Sequence, residues 1–167
     1  MRHLRITLFG VSTLLIGVAS SVAADLAFAK RAYEHGDYAV AATHFLVLAE
    51  EGSGEAQLAI GRMYMVGRGV ALDRTQGITW LLLSAEQGMQ DAQYLLGKSY
   101  LQGNDTLPRD PVQGLKWLRL AARENQLSYQ NELRAAEREM TADQIAKANA
   151  LAAVWRPVSN RLAPSKP

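Results

Sequence analysis

The chain has 167 residues, 49% of them hydrophobic, with Lys+Arg 18 against Asp+Glu 16 and no cysteine. That length and apolar content suit one packed domain or one short repeat array and exclude wholesale disorder. The missing cysteine excludes disulfides, thiolate zinc sites, cysteine nucleophiles and a lipid-modified N-terminal cysteine.

Residues 1–24 carry Arg2 and Arg5 and no acid, then an apolar stretch from Ile6 to Val18, then small residues up to Ala24. This is the order of a secretory signal peptide. Val22 and Ala24 fit the small-residue cleavage pattern, which puts the cut between Ala24 and Asp25 and the mature chain in the periplasm or outside the cell. The apolar stretch falls short of the roughly 20 residues that a spanning helix needs, so no stable membrane anchor is expected. The cut also changes the charge balance. The whole-chain pI near 9.0 hints at nucleic acid. Without the two leader arginines, Lys+Arg falls from 18 to 16 and equals the acids. Arg156, Arg161 and Lys166 lie in a proline-rich end, 156–167, that reads as a disordered tail. The body between, 25–155, is slightly acidic, which removes nucleic acid as an expected partner.

The first predicted helix holds Leu26, Ala29, Lys30 and Tyr33 and stops at Gly36. It pairs with a second over 37–51. From Ala49 the chain repeats itself. Residues 49–67 match 85–103 at an offset of 36: Ala49 with Ala85, Glu50 with Glu86, Gly52 with Gly88, Ala56-Gln57 with Ala92-Gln93, Gly61 with Gly97, Tyr64 with Tyr100 and Gly67 with Gly103. The offset then becomes 37, matching Asp73 with Asp110, Gly77 with Gly114, Trp80 with Trp117 and Ala85 with Ala122. A fainter copy aligns Asp37 with Asp73 and His44 with Trp80.

Within each copy Ala56/Ala92, Ile60/Leu96 and Tyr64/Tyr100 fall four apart, one helical face. Gly67 and Gly103 predict helix stops. Asp73 and Asp110 predict N-caps; Gln76 follows Asp73 as in a capping box, and Pro111 suits the first helical position. The second helices are expected to end at Gly88 and Asn125. Gly61 and Gly97 sit inside helices at a cost of roughly 1 kcal/mol each relative to Ala. Paid twice at one register, that cost implies a neighbouring helix that crosses there. Trp80 and Trp117 supply bulk between units. At the far end Thr141-Ala-Asp-Gln144 is a capping box. Ile145, Ala148, Ala152 and Trp155 form one stripe, as a terminal cap should.

The string Ala-Glu-x-Gly-x-x-x-Ala-Gln-x-x-x-Gly-x-x-Tyr-x-x-Gly, present at Ala49–Gly67 and again at Ala85–Gly103, resembles the Sel1-like repeat, a tetratricopeptide-like helical repeat. The loop, Asp cap and Trp helix of 67–88 fit it too. The second loop, 103–110, has lost the Gly-x-Gly-Val of the first, His44 stands where later units have Trp, and 126–139 lacks the Ala-Gln and Gly positions. The resemblance implies an all-α, right-handed solenoid of stacked antiparallel helix pairs, about eight helices in all. Its core repeats cover 37–125, with caps at 25–36 and 126–155.

Catalytic candidates are few. His35 and His44 remain after the leader, and only Glu34 and Asp37 lie near them in sequence; a turn and a packing position account for both. No Gly-x-Ser-x-Gly or Ser-x-x-Lys motif occurs. Gly67-Arg68-Gly69 follows a helix and lacks the Lys-Ser/Thr of a phosphate loop. Glu50, Glu51, Glu55, Glu86 and Asp91 flank helix ends, where Glu55 and Asp91 complement the helix dipole. No catalytic residue, metal site or cofactor is expected. Asn104-Asp105-Thr106 is a formal glycosylation acceptor in an exposed loop.

What remains is surface. First helices of such pairs line the concave side of an array. Gln57, Arg62, Gln93 and Lys98 recur there and are the candidate partner-binding residues; Met63 and Tyr94 are assigned to the core. The resemblance implies a non-catalytic periplasmic adaptor for a protein or peptide. The alternative is an accessory protein that binds cell-wall glycan or peptidoglycan, with a hydrolase third.

Overall fold

The structure is a computed structural model that describes residues 12–124 and 126–158, with side chains from Val22 onward. Arg2 and Arg5 of the expected leader, Asn125 and most of the proline-rich end therefore lie outside the described residues. Among the described residues there are eight helices and no strand: α1 Ser12–His35, α2 Tyr38–Glu50, α3 Gly54–Val66, α4 Arg74–Glu86, α5 Gln90–Gln102, α6 Pro111–Ala121, α7 Leu127–Arg138 and α8 Ala142–Val154. Each helix from α1 to α6 packs on the next, which gives three consecutive hairpins; α6 then receives both α7 and α8. This is the expected all-α solenoid.

The first helix differs from expectation. It begins at Ser12 rather than near Leu26 and runs through Ala24 and Asp25, both exposed. The Ala-rich stretch around the expected cleavage point holds neither Gly nor Pro to break a helix. The body's part of α1 is fixed by Ala29 and Ala32, which are buried against Ala41, Phe45 and Leu48 of α2.

Helix ends follow the local chemistry. Asp73 and Asp110 accept from the backbone N–H of Gln76 and Gln113, both at 3.0 Å. The capping box expected at Asp73 is incomplete: the Gln76 amide donates to the Asp73 carboxylate at 3.1 Å instead of reaching back to the N-cap backbone. Thr141 and Gln144 make the full reciprocal pair. Gly67 closes α3 in the left-handed conformation, φ 67. Each repeat's loop is also tied back to its first helix: the Asp73 N–H donates to the Tyr64 carbonyl at 3.0 Å and the Asp110 N–H to the Tyr100 carbonyl at 2.9 Å.

The glycines inside helices have the reason their repetition implied. A Cβ on Gly61 would lie 3.2 Å from the Gly77 carbonyl oxygen and 3.1 Å from Leu81 Cγ. A Cβ on Gly97 would lie 3.0 Å from the Gly114 carbonyl oxygen and 2.9 Å from Leu118 Cγ. The relation is reciprocal, because Cβ atoms on Gly77 and Gly114 would sit 3.0 Å from the Gly61 and Gly97 carbonyl oxygens. The two helices of each hairpin thus cross backbone to backbone.

Between hairpins the bulk is aromatic. Trp80 is 8% exposed and shares a cluster with Ala41, Phe45 and Leu48 of the preceding hairpin; Trp117, 3% exposed, packs with Leu81 and Ala85 of α4. His44, at the equivalent position of the first described hairpin, makes an edge contact with Phe28 at 4.7 Å. Ala148 and Ala152 of the terminal stripe are buried, and Trp155 meets Trp117 edge-on at 6.3 Å. The start of the expected tail is held too. Arg156–Val158 leave α8 without helix, and the Val158 N–H donates to the Glu86 carbonyl at 2.9 Å.

Gly97→Val puts three carbons where backbone atoms of α6 already stand. It should lower stability by about 1–3 kcal/mol, the usual cost of overpacking. Urea unfolding followed by circular dichroism checks this; an unchanged midpoint would mean that the helices can part there freely.

Candidate functional site

Two of the four candidate partner-binding residues are not surface groups. Gln57 is 0% exposed and Gln93 2%. The Gln57 amide donates to the Ala49 carbonyl, and the Gln93 amide to the Ala85 carbonyl, each at 3.1 Å. Ala49 and Ala85 lie in the last turns of α2 and α4, and their carbonyls also accept from the Gly52 and Gly88 N–H groups just past those helices, at 3.1 and 3.0 Å. Each glutamine therefore closes the end of the helix before its own. Gln57 also accepts from the Gln87 amide at 2.8 Å, and Gln87 donates to the Gly52 carbonyl at 3.1 Å. The assignment of Gln57 and Gln93 to a binding face is corrected accordingly. The signal was present in the sequence: Gln57, Ile60, Gly61 and Tyr64 stand at the i, i+3, i+4, i+7 spacing of a single buried stripe.

Arg62 and Lys98 are on the surface, but both are engaged. Arg62 pairs with Asp91 of α5 at 2.7 Å, and Lys98 with Glu132 of α7 at 3.8 Å. Lys30 of α1 pairs with Glu55 of α3. Cations on α1, α3 and α5 thus meet acids on α3, α5 and α7, three times in succession. Glu55 and Asp91, which the helix dipole alone explains in sequence, form rungs of this ladder. Exposed pairs of this kind contribute about 0–1 kcal/mol each, so their main effect is on register.

The Asp91 rung is the most elaborate. Its carboxylate also accepts from the Tyr129 hydroxyl, and the Tyr129 ring stacks on Tyr94 at 4.4 Å. That hydrogen bond, helped by Arg62 and opposed by burial, holds the Asp91 carboxyl below the usual carboxylate range. Burial first, and then the Asp91 carboxylate, push the Tyr129 phenol up to about 12. Tyr94 is half-buried here, while Met63 is fully buried as expected.

On the same face lies an open cleft. One hollow of about 230 Å³ lies between α1 and α3, lined by Lys30, Tyr33, Glu34, Leu58, Ala59 and Arg62 among others. A second, of about 320 Å³, lies between α3 and α5, lined by Met65, Val66, Arg68, Leu81, Leu95 and Ser99. Tyr33 and Arg62 line both. Arg68, which the sequence offers only as part of a loop unlike a phosphate loop, lines the second hollow. Its guanidinium donates to the Tyr33 hydroxyl at 2.8 Å and faces the Tyr38 ring at 5.0 Å. The loop that carries it is fixed by Gly69, whose backbone runs at φ +72 against α2; a Cβ there would be 2.3 Å from the Tyr38 carbonyl oxygen.

Among the described residues, His35 and His44 do not share a site. His35 is exposed and its Nδ1 donates to the Arg31 carbonyl at 2.8 Å, one turn back on its own helix. No group of three or more His, Asp or Glu residues that could hold a metal ion occurs among the described residues. No described helix is long and apolar enough to cross a membrane.

Residues 54–89 and 90–126 match the family model of the Sel1 repeat, and these stretches coincide with the α3–α4 and α5–α6 hairpins. The chain carries two Sel1 repeats. Solved structures agree. The chain is similar to a protective antigen of uropathogenic Escherichia coli strains that displays an SLR fold, with TM-score 0.74 and 27% identity over 78% of this chain and 29% of that one. It is also similar to a Sel1 repeat protein from Oxalobacter formigenes, with TM-score 0.63 and 26% identity over 77% of this chain and 53% of that one. The chain thus spans well under two thirds of either relative. No curated protein sequence matches it.

Two outcomes follow from this geometry. Gln93→Ala removes one of the two hydrogen bonds to the Ala85 carbonyl, leaving that from the Gly88 N–H, and should cost about 0.5–1.5 kcal/mol in urea unfolding; a neutral effect would mean that the buried amide adds nothing to stability. The Asp91–Tyr129 pair sets a pH window. Asp91 titrates lower in the folded chain, so its contribution is present above the ordinary carboxylate range and lost as pH falls through its own lower value. Tyr129 titrates higher, so its contribution is present below the usual tyrosine value of about 10 and lost as pH rises toward its own. Tyr129→Phe should move the Asp91 carboxyl back toward the usual range in a carboxyl-carbon NMR titration.

Proposed function

We propose that this chain is an exported, non-catalytic scaffold that binds a protein or peptide partner in the periplasm through the first-helix face of its array. Sel1-repeat proteins generally mediate protein–protein interaction. The observation that carries the reading here is the cleft across α1, α3 and α5, with apolar residues on its floor and a ladder of ion pairs holding its walls. Such a surface offers an extended partner shape, apolar contact and charge together, which is how stacked repeats recognise other chains. Export rests on the leader: Arg2 and Arg5, the apolar stretch and the small residues up to Ala24.

Crosslinking of the purified chain in envelope extract should recover a reproducible protein partner. Charge reversal of Arg62, which both hollows share, should reduce that recovery while circular dichroism stays unchanged. Recovery of no partner, with retention on purified cell wall instead, would favour the glycan-binding alternative. N-terminal sequencing of the protein from a periplasmic fraction should begin at Asp25; a sequence that begins at Met1 would overturn export by cleavage.

A further inference from the structure

The charges along the cleft are not balanced alike. In the hollow between α1 and α3, Lys30 has Glu55, Arg62 has Asp91 beyond it, and Glu34 adds another acid. The hollow between α3 and α5 is lined by two arginines and no carboxylate. Arg62 is neutralised by Asp91, but Arg68 makes no ion pair among the described residues. Its donors meet one neutral phenol, Tyr33, and its plane faces the rings of Tyr33 and Tyr38 at 5.9 and 5.0 Å. Both contacts orient the guanidinium without cancelling its charge, and the Gly69 contact with α2 keeps the loop from swinging. Beside it lies an apolar floor of Met65, Leu81 and Leu95, with Val66 65% exposed at the rim.

Resting on the scaffold reading above, we infer that this hollow is a recognition pocket for an extended peptide segment of the partner that carries an Asp or Glu next to an apolar residue. The carboxylate would take charge-assisted hydrogen bonds from Arg68, where the fork geometry of a guanidinium matches a carboxylate. The apolar side chain would cover Met65 and Leu95. An internal segment fits better than a chain end, because Tyr33 and Arg62 join this hollow to its neighbour and the cleft continues past it. An oriented, unneutralised cation also costs less to engage than one that must first be freed and fixed.

The test is selection from a random peptide library with blocked ends, displayed against the purified chain, followed by fluorescence anisotropy on the peptides selected. Selected peptides should be enriched in Asp or Glu adjacent to Leu, Ile, Val, Phe or Met. Replacing that acid by its amide should weaken binding about tenfold, which corresponds to about 1.4 kcal/mol. Arg68→Ala should weaken the acidic peptides to the level of their amides, Arg68→Lys should recover part of the loss, and Arg68→Glu should shift selection toward basic peptides. Each variant's circular dichroism should match the parent's, since Arg68 is exposed. Selection with no acidic preference, or one that survives Arg68→Glu, overturns the pocket. So does a set that binds only with a free C-terminal carboxylate, or full displacement by millimolar inorganic phosphate, which would make it a simple anion site. If crosslinking recovers a partner while the library shows no acidic preference, the scaffold stands and this pocket falls. If neither returns anything, both fall.

Discussion

At two places in the chain, helices approach until one backbone's carbonyl oxygen lies where the other's side chain would begin. Gly61 faces Gly77 in this way, and Gly97 faces Gly114. Much else depends on these crossings. In these two hairpins the helices cross with one backbone against the other, and Leu81 and Leu118 pack directly over Gly61 and Gly97. Trp80 and Trp117 fill the space between units. The carbonyls at the ends of α2 and α4 are then left facing the next hairpin, where Gln57 and Gln93 reach them. The glycines give up helix propensity and the glutamines bury amides, and both costs are met by the stacking they permit.

Much of this was legible in the sequence, and the misreadings have physical causes. Repetition exposed the glycines, since a residue that is poor in helices does not recur at one register without a reason. The caps at Asp73, Asp110 and Thr141 were legible because capping is local chemistry. Gln57 and Gln93 look exposed in the sequence because they are polar; the Ala49 and Ala85 carbonyls they reach belong to a different helix and meet them only in three dimensions. Arg62 and Lys98 were rightly placed on the surface, but the acids they pair with lie about thirty residues further on. Arg68 was hidden by its setting, because a Gly-x-Gly loop draws attention to its glycines. Its aromatic partners come from the end of α1 and the start of α2.

The ladder of ion pairs and the cleft occupy the same face, and the two are related. Lys30–Glu55, Arg62–Asp91 and Lys98–Glu132 tie successive first helices together, so the cleft's width is tied to the register of the array. At its far end the face is closed off by Tyr129, which bonds to Asp91 and stacks on Tyr94. The open stretch is therefore the part between α1 and α5, where Arg68 stands.

The two equivalent loops differ in what holds them. Gly69 presses the first against Tyr38, so that loop belongs mechanically to the hairpin before it. The second is held by its own turn, in which the Asn104 side chain accepts from the Thr106 and Leu107 N–H groups, both at 2.9 Å. It is also the loop with one more residue between its helix stop and its N-cap. The first loop is a clasp whose length is dictated by the distance to a neighbour. The second is a seam, where a foreign segment could be spliced into the chain with the spacing of the hairpins left as it is.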